Sequence, residues 1–172
     1  MTPPQTIYKD TPTQAFCQTN EIIIRKATLA DAEQISALVD LGVAEGQLLP
    51  RAPDAIRATI NDWIVAADDA RIIGIGSLLE MSPVLLELRS LVVAPEYRQF
   101  GVGGKIVRAL VEEARARGIP TVFALTRAEK FFARHGFVVT DKDNFPEKVW
   151  RDCNVCPVRF NCDEIAVMKQ LK

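Results

Sequence analysis

The stretch Leu91-Val92-Val93-Ala94-Pro95-Glu96-Tyr97-Arg98-Gln99-Phe100-Gly101-Val102-Gly103-Gly104 decides the fold. Its apolar opening closes a strand predicted over 84–93. Ala94-Pro95 ends that strand, because proline has no N–H and restricts the residue before it. Beyond the turn, Val102, Ile106, Val107, Leu110, Val111 and Ala114 recur at helical spacing, with charged residues on the opposite face. The glycines lie between strand and helix. They let the backbone turn tightly, and the first amides of the helix lack partners within it. With the helix dipole, those amides make a seat for an anion such as a pyrophosphate. Arg98 would add a charge-assisted contact. The glycines by themselves would equally suit a helix cap packed closely on a strand.

Two familiar phosphate loops are excluded by residue type. Gly103-Gly104 runs into Lys105-Ile106, so the lysine and hydroxyl pair that closes a nucleoside-triphosphate loop is missing. A dinucleotide fingerprint would need its third glycine two residues beyond Gly104 and an acidic residue after a second strand.

Working outward, Ile22-Ile23-Ile24 reads as a strand, and Thr28 with Asp31 as a capping-box start to a helix bearing Ile35, Leu38, Val39 and Leu41. A loop over 46–53 has the character of a pocket wall. A helical segment over 54–62 follows, then strands over 63–66 and 71–79 that form a hairpin around Asp68-Asp69-Ala70. Gly118 and Pro120 stop the long helix, freeing 121–126 for a buried strand. A short helix over 128–135 is closed by Gly136, and 164–168 is a final strand. This order predicts an α/β (α+β) fold, a mixed sheet with helices on both faces.

With 172 residues, 48% of them hydrophobic, the chain can bury one substantial core, expected over 21–172 behind a flexible extension over 1–20. The segment 145–172 carries three of the four cysteines. A net charge of -1 provides no field for nucleic acid or acidic lipid, and no apolar run is long enough to span a bilayer. A cytoplasmic location is expected, where the cysteines would be thiols, metal ligands or redox groups. Cys153-x2-Cys156 with Cys162 has spacing that zinc could use, given a fourth ligand from Cys17, Asp163 or His135. A redox thiol pair and plain reduced thiols are the other readings. His135, the single histidine, ends a short helix whose dipole favours the imidazolium, and it reads as structural.

Arg98, Gly101 and Gly103 match the motif R/Q-x-x-G-x-G/A, and the chain resembles the GNAT superfamily of N-acetyltransferases. Ile24-Arg25-Lys26-Ala27-Thr28 with Asp31 is similar to the family's opening, 91–98 to its central strand and exit, and Phe131-Phe132 through Gly136-Phe137 to its closing element. The resemblance covers 21–140. It implies a mostly antiparallel sheet, acetyl-CoA as co-substrate, and no metal for the chemistry. The backbone of Leu91, Val92 and Val93 would pair with the pantetheine arm. The amides of Gln99, Phe100, Gly101, Val102, Gly103 and Gly104 would hold the pyrophosphate.

An amine attacks a thioester only when neutral, so such a site needs a base and a stabiliser of the oxyanion. Period-two alternation places Glu87, Arg89 and Leu91 on one face of the central strand, and Leu86, Leu88, Ser90 and Val92 on the other. The charged pair is either a solvated ion pair or a base, Glu87, beside a carboxylate-binding Arg89. Many family members carry a tyrosine acid where this chain has Phe132, so water or a hydroxyl such as Ser90 or Thr126 would replace it.

Within the family, 87–93, Leu125-Thr126-Arg127 and Phe145-Pro146-Glu147-Lys148-Val149-Trp150 resemble the short, single-domain form of N-acetylglutamate synthase. That implies acetyl transfer to the α-amine of L-glutamate, the first step of arginine biosynthesis. Glu87 would be the base, and Arg89, Arg127 and Lys148 would bind carboxylates. The partner is then a small-molecule amino acid, with a homodimer as the candidate assembly. Glutamine, a protein N-terminus or a polyamine are the alternative amines, and a non-catalytic acyl-CoA-binding module is the alternative outside enzymes.

Overall fold

In the computed structural model, which describes residues 21–172, seven strands form one sheet in the order β1-β2-β3-β4-β5-β7-β6. The extension expected over 1–20, with Cys17, lies outside these residues. The strands are β1 (Ile23–Lys26), β2 (Trp63–Asp68), β3 (Arg71–Ser82), β4 (Leu85–Val93), β5 (Thr121–Thr126), β6 (Val138–Thr140) and β7 (Ile165–Gln170). Every neighbouring pair is antiparallel except β4 and β5, so the mixed, mostly antiparallel sheet is the one expected.

Helices cover both faces. On one lie α1 (Ala32–Ala44) and α2 (Pro53–Ala58), whose Ile35, Val39 and Ile56 bury against Val65, Ile75 and Val92. On the other, α3 (Val102–Ala116) lays Ile106, Leu110 and Ala114 over Ile64, Leu86 and Leu88. The alternation of Ile64 and Val65 between the two clusters is the period of a strand buried on both faces. The start of α1 is fixed as its sequence indicates. Asp31 accepts from the Thr28 amide at 2.7 Å and takes both guanidinium nitrogens of Arg25, at 2.7 and 2.8 Å. The Arg25 hydrogen bonds hold the Asp31 carboxyl far below the usual carboxylate range, against the opposing pull of burial.

Several expectations are corrected. The helix over 54–62 is α2 followed by a separate 3-10 turn at Ile60–Asp62. The short helix over 128–135 is only α4 (Glu129–Ala133). Two elements were not anticipated: the three-residue β6, and α5 (Pro146–Arg151), anchored by Phe145 stacked on Phe123 at 4.0 Å.

The last correction matters most for the site. In β4, Arg89 pairs with Ser77 but Val92 pairs with Ile75, so Ser90 and Leu91 together oppose a single residue. Ser90 has φ 56°, in the left-handed region. This bulge reverses the alternation. Leu91 joins the α3 cluster, whereas Val92, not Leu91, shares the face of Glu87 and Arg89.

Candidate active site

The parallel pairing of β4 with β5 lasts only from Leu85 to Glu87, opposite Thr121 to Phe123. Beyond Glu87 the two strands part, and the edge of β4 from Leu88 to Val93 is released from its neighbour. Its backbone groups on that side need other partners. A cleft of about 300 Å³ fills the gap, walled by Leu88, Leu91, Ala124, Phe131 and Phe132. One end continues into a polar chamber of about 250 Å³, and the other meets, at Phe131, the hollow over the glycine turn.

At the turn, Gln99 and Gly101 both have left-handed backbones, with φ 72° and 76°, and α3 starts at Val102. This aims the unpaired amides of the first helical turn outward. Lys105, Arg108 and Arg134 surround the hollow, while the Phe100 side chain is exposed. Arg98 is otherwise engaged. It donates to the Val93 carbonyl at 2.9 Å and to both oxygens of Glu45 at 2.8 and 2.9 Å, tying the end of β4 to α1. Gly104 faces the His135 ring, which a Cβ there would meet at 2.7 Å. The expected imidazolium is not favoured: burial, with Arg108, Arg134 and Lys169 nearby, lowers the His135 pKa.

The polar chamber gathers Glu87, Arg89 and Ser90 from β4, Lys148 and Asp152 from α5 and its end, and Arg51 from the loop before α2. Lys148 Nζ lies 2.6 Å from Glu87 Oε1 and 2.7 Å from Asp152 Oδ2. Arg89 is 3.9 Å from the same Asp152 oxygen, and Arg51 Nε donates to Ser90 Oγ at 3.1 Å. In this chamber two buried atoms have no partner: Glu87 Oε2, an acceptor, and Arg89 Nε, a donor. Burial, with Arg51 beside it, depresses Arg89 to about 10, and burial also lowers Arg51. For Lys148, burial is outweighed by the charge of Glu87 and hydrogen bonds to Asp152 and Glu87, so its pKa rises. Burial of Asp152 is similarly outweighed by Lys148, and its pKa falls.

Arg127 stands apart from this group, in the wall of the apolar cleft. Its Nε is 2.5 Å from Asp163, NH1 is 4.0 Å from Glu164, and NH1 also donates to the Gly46 carbonyl at 3.3 Å. Phe132 is buried edge-on between Phe131 and Phe137, each centroid 5.2 Å away. Arg51 and Asp152 were not foreseen as site residues. The signal for Arg51 was its place in the loop read as a pocket wall; Asp152 follows Lys148 by one helical turn. Cys153, Cys156 and Cys162 are free thiols, and among the described residues no group of three or more His, Cys, Asp or Glu is arranged to hold a metal. No helix among these residues is long and apolar enough to cross a membrane.

The comparisons agree with this fold. The model of the acetyltransferase (GNAT) domain matches residues 60–139. An uncharacterized N-acetyltransferase of Chlorobaculum tepidum is 41% identical over 152 residues, covering 86% of this chain and 96% of its own. An amino-acid acetyltransferase of Shewanella oneidensis is 31% identical over 127 residues; the match takes in 73% of this chain but only 28% of that longer protein. Among solved structures, Rv2747 of Mycobacterium tuberculosis, in complex with CoA, superposes with a TM-score of 0.77 at 26% identity, covering 87% of this chain and 99% of that one. On the near end-to-end match at 41% identity, the chain belongs to the GNAT family of acetyltransferases.

Proposed function

We propose that the protein transfers the acetyl group of acetyl-CoA to the α-amine of an amino acid, with L-glutamate as substrate. The observation that carries the reading is the pair of unpartnered atoms in the polar chamber, Glu87 Oε2 and Arg89 Nε. One wants a donor and the other an acceptor, and an α-amino acid offers an ammonium and a carboxylate on adjacent bonds. Leaving both unmatched would cost about 1–3 kcal/mol each.

The residues present suit acetyl-CoA. The released edge of β4 at Leu91, Val92 and Val93 offers backbone hydrogen bonds to a pantetheine amide, the turn from Gln99 to Gly104 offers amides to a pyrophosphate, and Lys105, Arg108 and Arg134 add positive charge. Acetyl-CoA supplies the activated acyl group. Glu87 takes the proton from the substrate ammonium on Oε2, while Lys148 holds Oε1. Arg89 and Arg51 orient the carboxylates, with Lys148 at the same wall. The Ser90 oxygen accepts from Arg51, which leaves its hydroxyl proton free to be given to the departing sulfur. That role replaces the tyrosine the family often uses, since Phe132 has no proton to give. With this assignment, the resemblance to N-acetylglutamate synthase connects the product to arginine biosynthesis.

One observation favours a second substrate. The chamber is lined by three cations, Arg51, Arg89 and Lys148, and three anions, Glu87, Asp152 and Glu164. A balanced lining suits a zwitterion with an uncharged polar side chain, which is glutamine. The two buried guanidinium groups disfavour a polyamine. Release of free CoA across a panel of amino acids, spermidine and a short peptide, with Glu87→Gln as control, tests these readings. Turnover confined to glutamate, or to glutamine, selects between the two; acetyl-CoA binding with no turnover of any amine overturns both.

A further inference from the structure

Cys153 and Cys156 are the first and last residues of one hydrogen-bonded turn, in which the Cys156 amide donates to the Cys153 carbonyl at 3.2 Å. A turn of this kind brings its terminal α-carbons within about 7 Å. A disulfide spans about 4.4–6.8 Å between α-carbons. Both thiols are half-buried, and the intervening Asn154 and Val155 are exposed, so small solutes can reach the turn.

The turn is coupled to the polar chamber by the chain itself. Cys153 follows Asp152, whose carboxylate binds Lys148 at 2.7 Å and lies 3.9 Å from Arg89. The Asp152 amide closes α5 on the Lys148 carbonyl at 3.0 Å. Moving Cys153 therefore moves the anion that neutralises two of the chamber's three cations. Cys162 Sγ lies 3.7 Å from Lys142 Nζ and 4.0 Å from Glu164, outside the turn but near enough to bear on the Cys153 thiol.

We propose that Cys153 and Cys156 are a dithiol oxidised by hydrogen peroxide or a small organic hydroperoxide, and that their disulfide weakens amino-acid binding by displacing Asp152. In the first step the Cys156 thiolate attacks a peroxide oxygen. An S–O bond forms, the O–O bond breaks, and Cys156 becomes a sulfenic acid with release of hydroxide, or alkoxide from an organic hydroperoxide. The Cys153 sulfur then attacks Cys156, forming the S–S bond and expelling hydroxide. The two thiol protons complete two waters, or one water and one alcohol, and two electrons pass from sulfur to the peroxide. The order follows from environment: burial, outweighing the opposing charge of Lys148, pushes the Cys153 thiol up, which suits it to the resolving role.

The effect on binding rests on the amino-acid reading above, whereas the thiol chemistry does not, and the test separates them. The full chain, reduced and then treated with hydrogen peroxide, is examined by intact mass, peptide disulfide mapping and calorimetric titration with glutamate and glutamine. The same is done for Cys153→Ser, Cys156→Ser and Cys162→Ser. The expected result is loss of two hydrogens with a Cys153–Cys156 link, retained in Cys162→Ser and absent from the other two. Amino-acid affinity falls about threefold or more, acetyl-CoA affinity holds, and dithiothreitol reverses the change. A link to another cysteine, a stoichiometric metal bound by these thiols, or a disulfide without change in amino-acid affinity would overturn the inference. Failure of the reduced protein to turn over any amine would instead overturn the functional reading.

Discussion

Lys148 Nζ sits 2.6 Å from Glu87 Oε1, and the two come from distant parts of the sequence, β4 in its middle and α5 near its end. Both side chains are shielded from water, at 13% and 3% exposure. The pair holds α5 against the polar chamber and ties the proposed base to a cation.

Replacing Lys148 with Met is expected to leave Glu87 as an unpaired buried charge. Breaking such a pair costs about 3 kcal/mol or more. Turnover at neutral pH should fall at least about tenfold, because the proposed base loses the cation that holds its Oε1. The raised pKa of Lys148 fixes the pH window of its own contribution: present below its unfolded value, and lost as pH rises through the higher folded one. Melting curves of wild type and Lys148→Met between neutral pH and strong alkali should therefore converge only at the alkaline end.

Glu87→Gln tests the base with little structural change, because the amide oxygen still accepts from Lys148. We expect kcat to fall by about 10²–10⁴ with acetyl-CoA affinity intact. A variant with near wild-type kcat would remove Glu87 from the mechanism.

Arg51→Ala should raise the amino-acid KM by about ten- to a hundredfold, the loss of a buried charge-assisted contact of about 1.5–3 kcal/mol. The KM for acetyl-CoA should not change, since Arg51 lies at the far end of the cleft from the glycine turn. Equal effects on both KM values in steady-state kinetics would point to a general loss of structure.

Gly104→Ala places a methyl group 2.7 Å from Cε1 and 2.9 Å from Nε2 of His135. Either the ring or the start of α3 must shift, and acetyl-CoA affinity should drop severalfold. Removing the ring as well, in Gly104→Ala/His135→Ala, should restore most of it. Calorimetry on the two variants distinguishes this steric account from a loss of helix-start flexibility.

Asp31→Asn removes the carboxylate that closes the capping box of the 3-10 turn leading into α1 and binds Arg25, and should destabilise the protein by about 2 kcal/mol at neutral pH. Because the folded Asp31 pKa lies below its unfolded value, this stability is present above about pH 4 and fades as acid titrates the carboxylate. Denaturant melts of wild type and variant should draw together as pH falls.

Much of the architecture was legible because its signals are local. The apolar stripe from Val102 to Ala114 has a helix period, Pro95 and Pro120 stop their neighbours, and Thr28 with Asp31 marks a helix start, so α3, β5 and α1 lie where the sequence indicates. The face of Leu91 was not legible. A single positive-φ residue that is not glycine, Ser90, inverts the alternation, and serine carries no strong local signal for that conformation. The strand β6 was missed because three residues hold it only by pairing with β7.

By itself the sequence determined the strand–turn–helix from Leu85 to Ala116 and the presence of Glu87 and Arg89 within it. Glycine freedom, proline geometry and side-chain period act over a few residues and need no distant partner. Only the tertiary structure decided which charges meet. It brought Lys148 onto Glu87, Asp152 beside Arg89 and Arg51 onto Ser90, engaged Arg98 with Glu45, and set Arg127 apart with Asp163. Those pairings join segments tens of residues apart, and they depend on the parting of β4 from β5 and on α5 closing over the gap, where burial makes each unmatched charge costly.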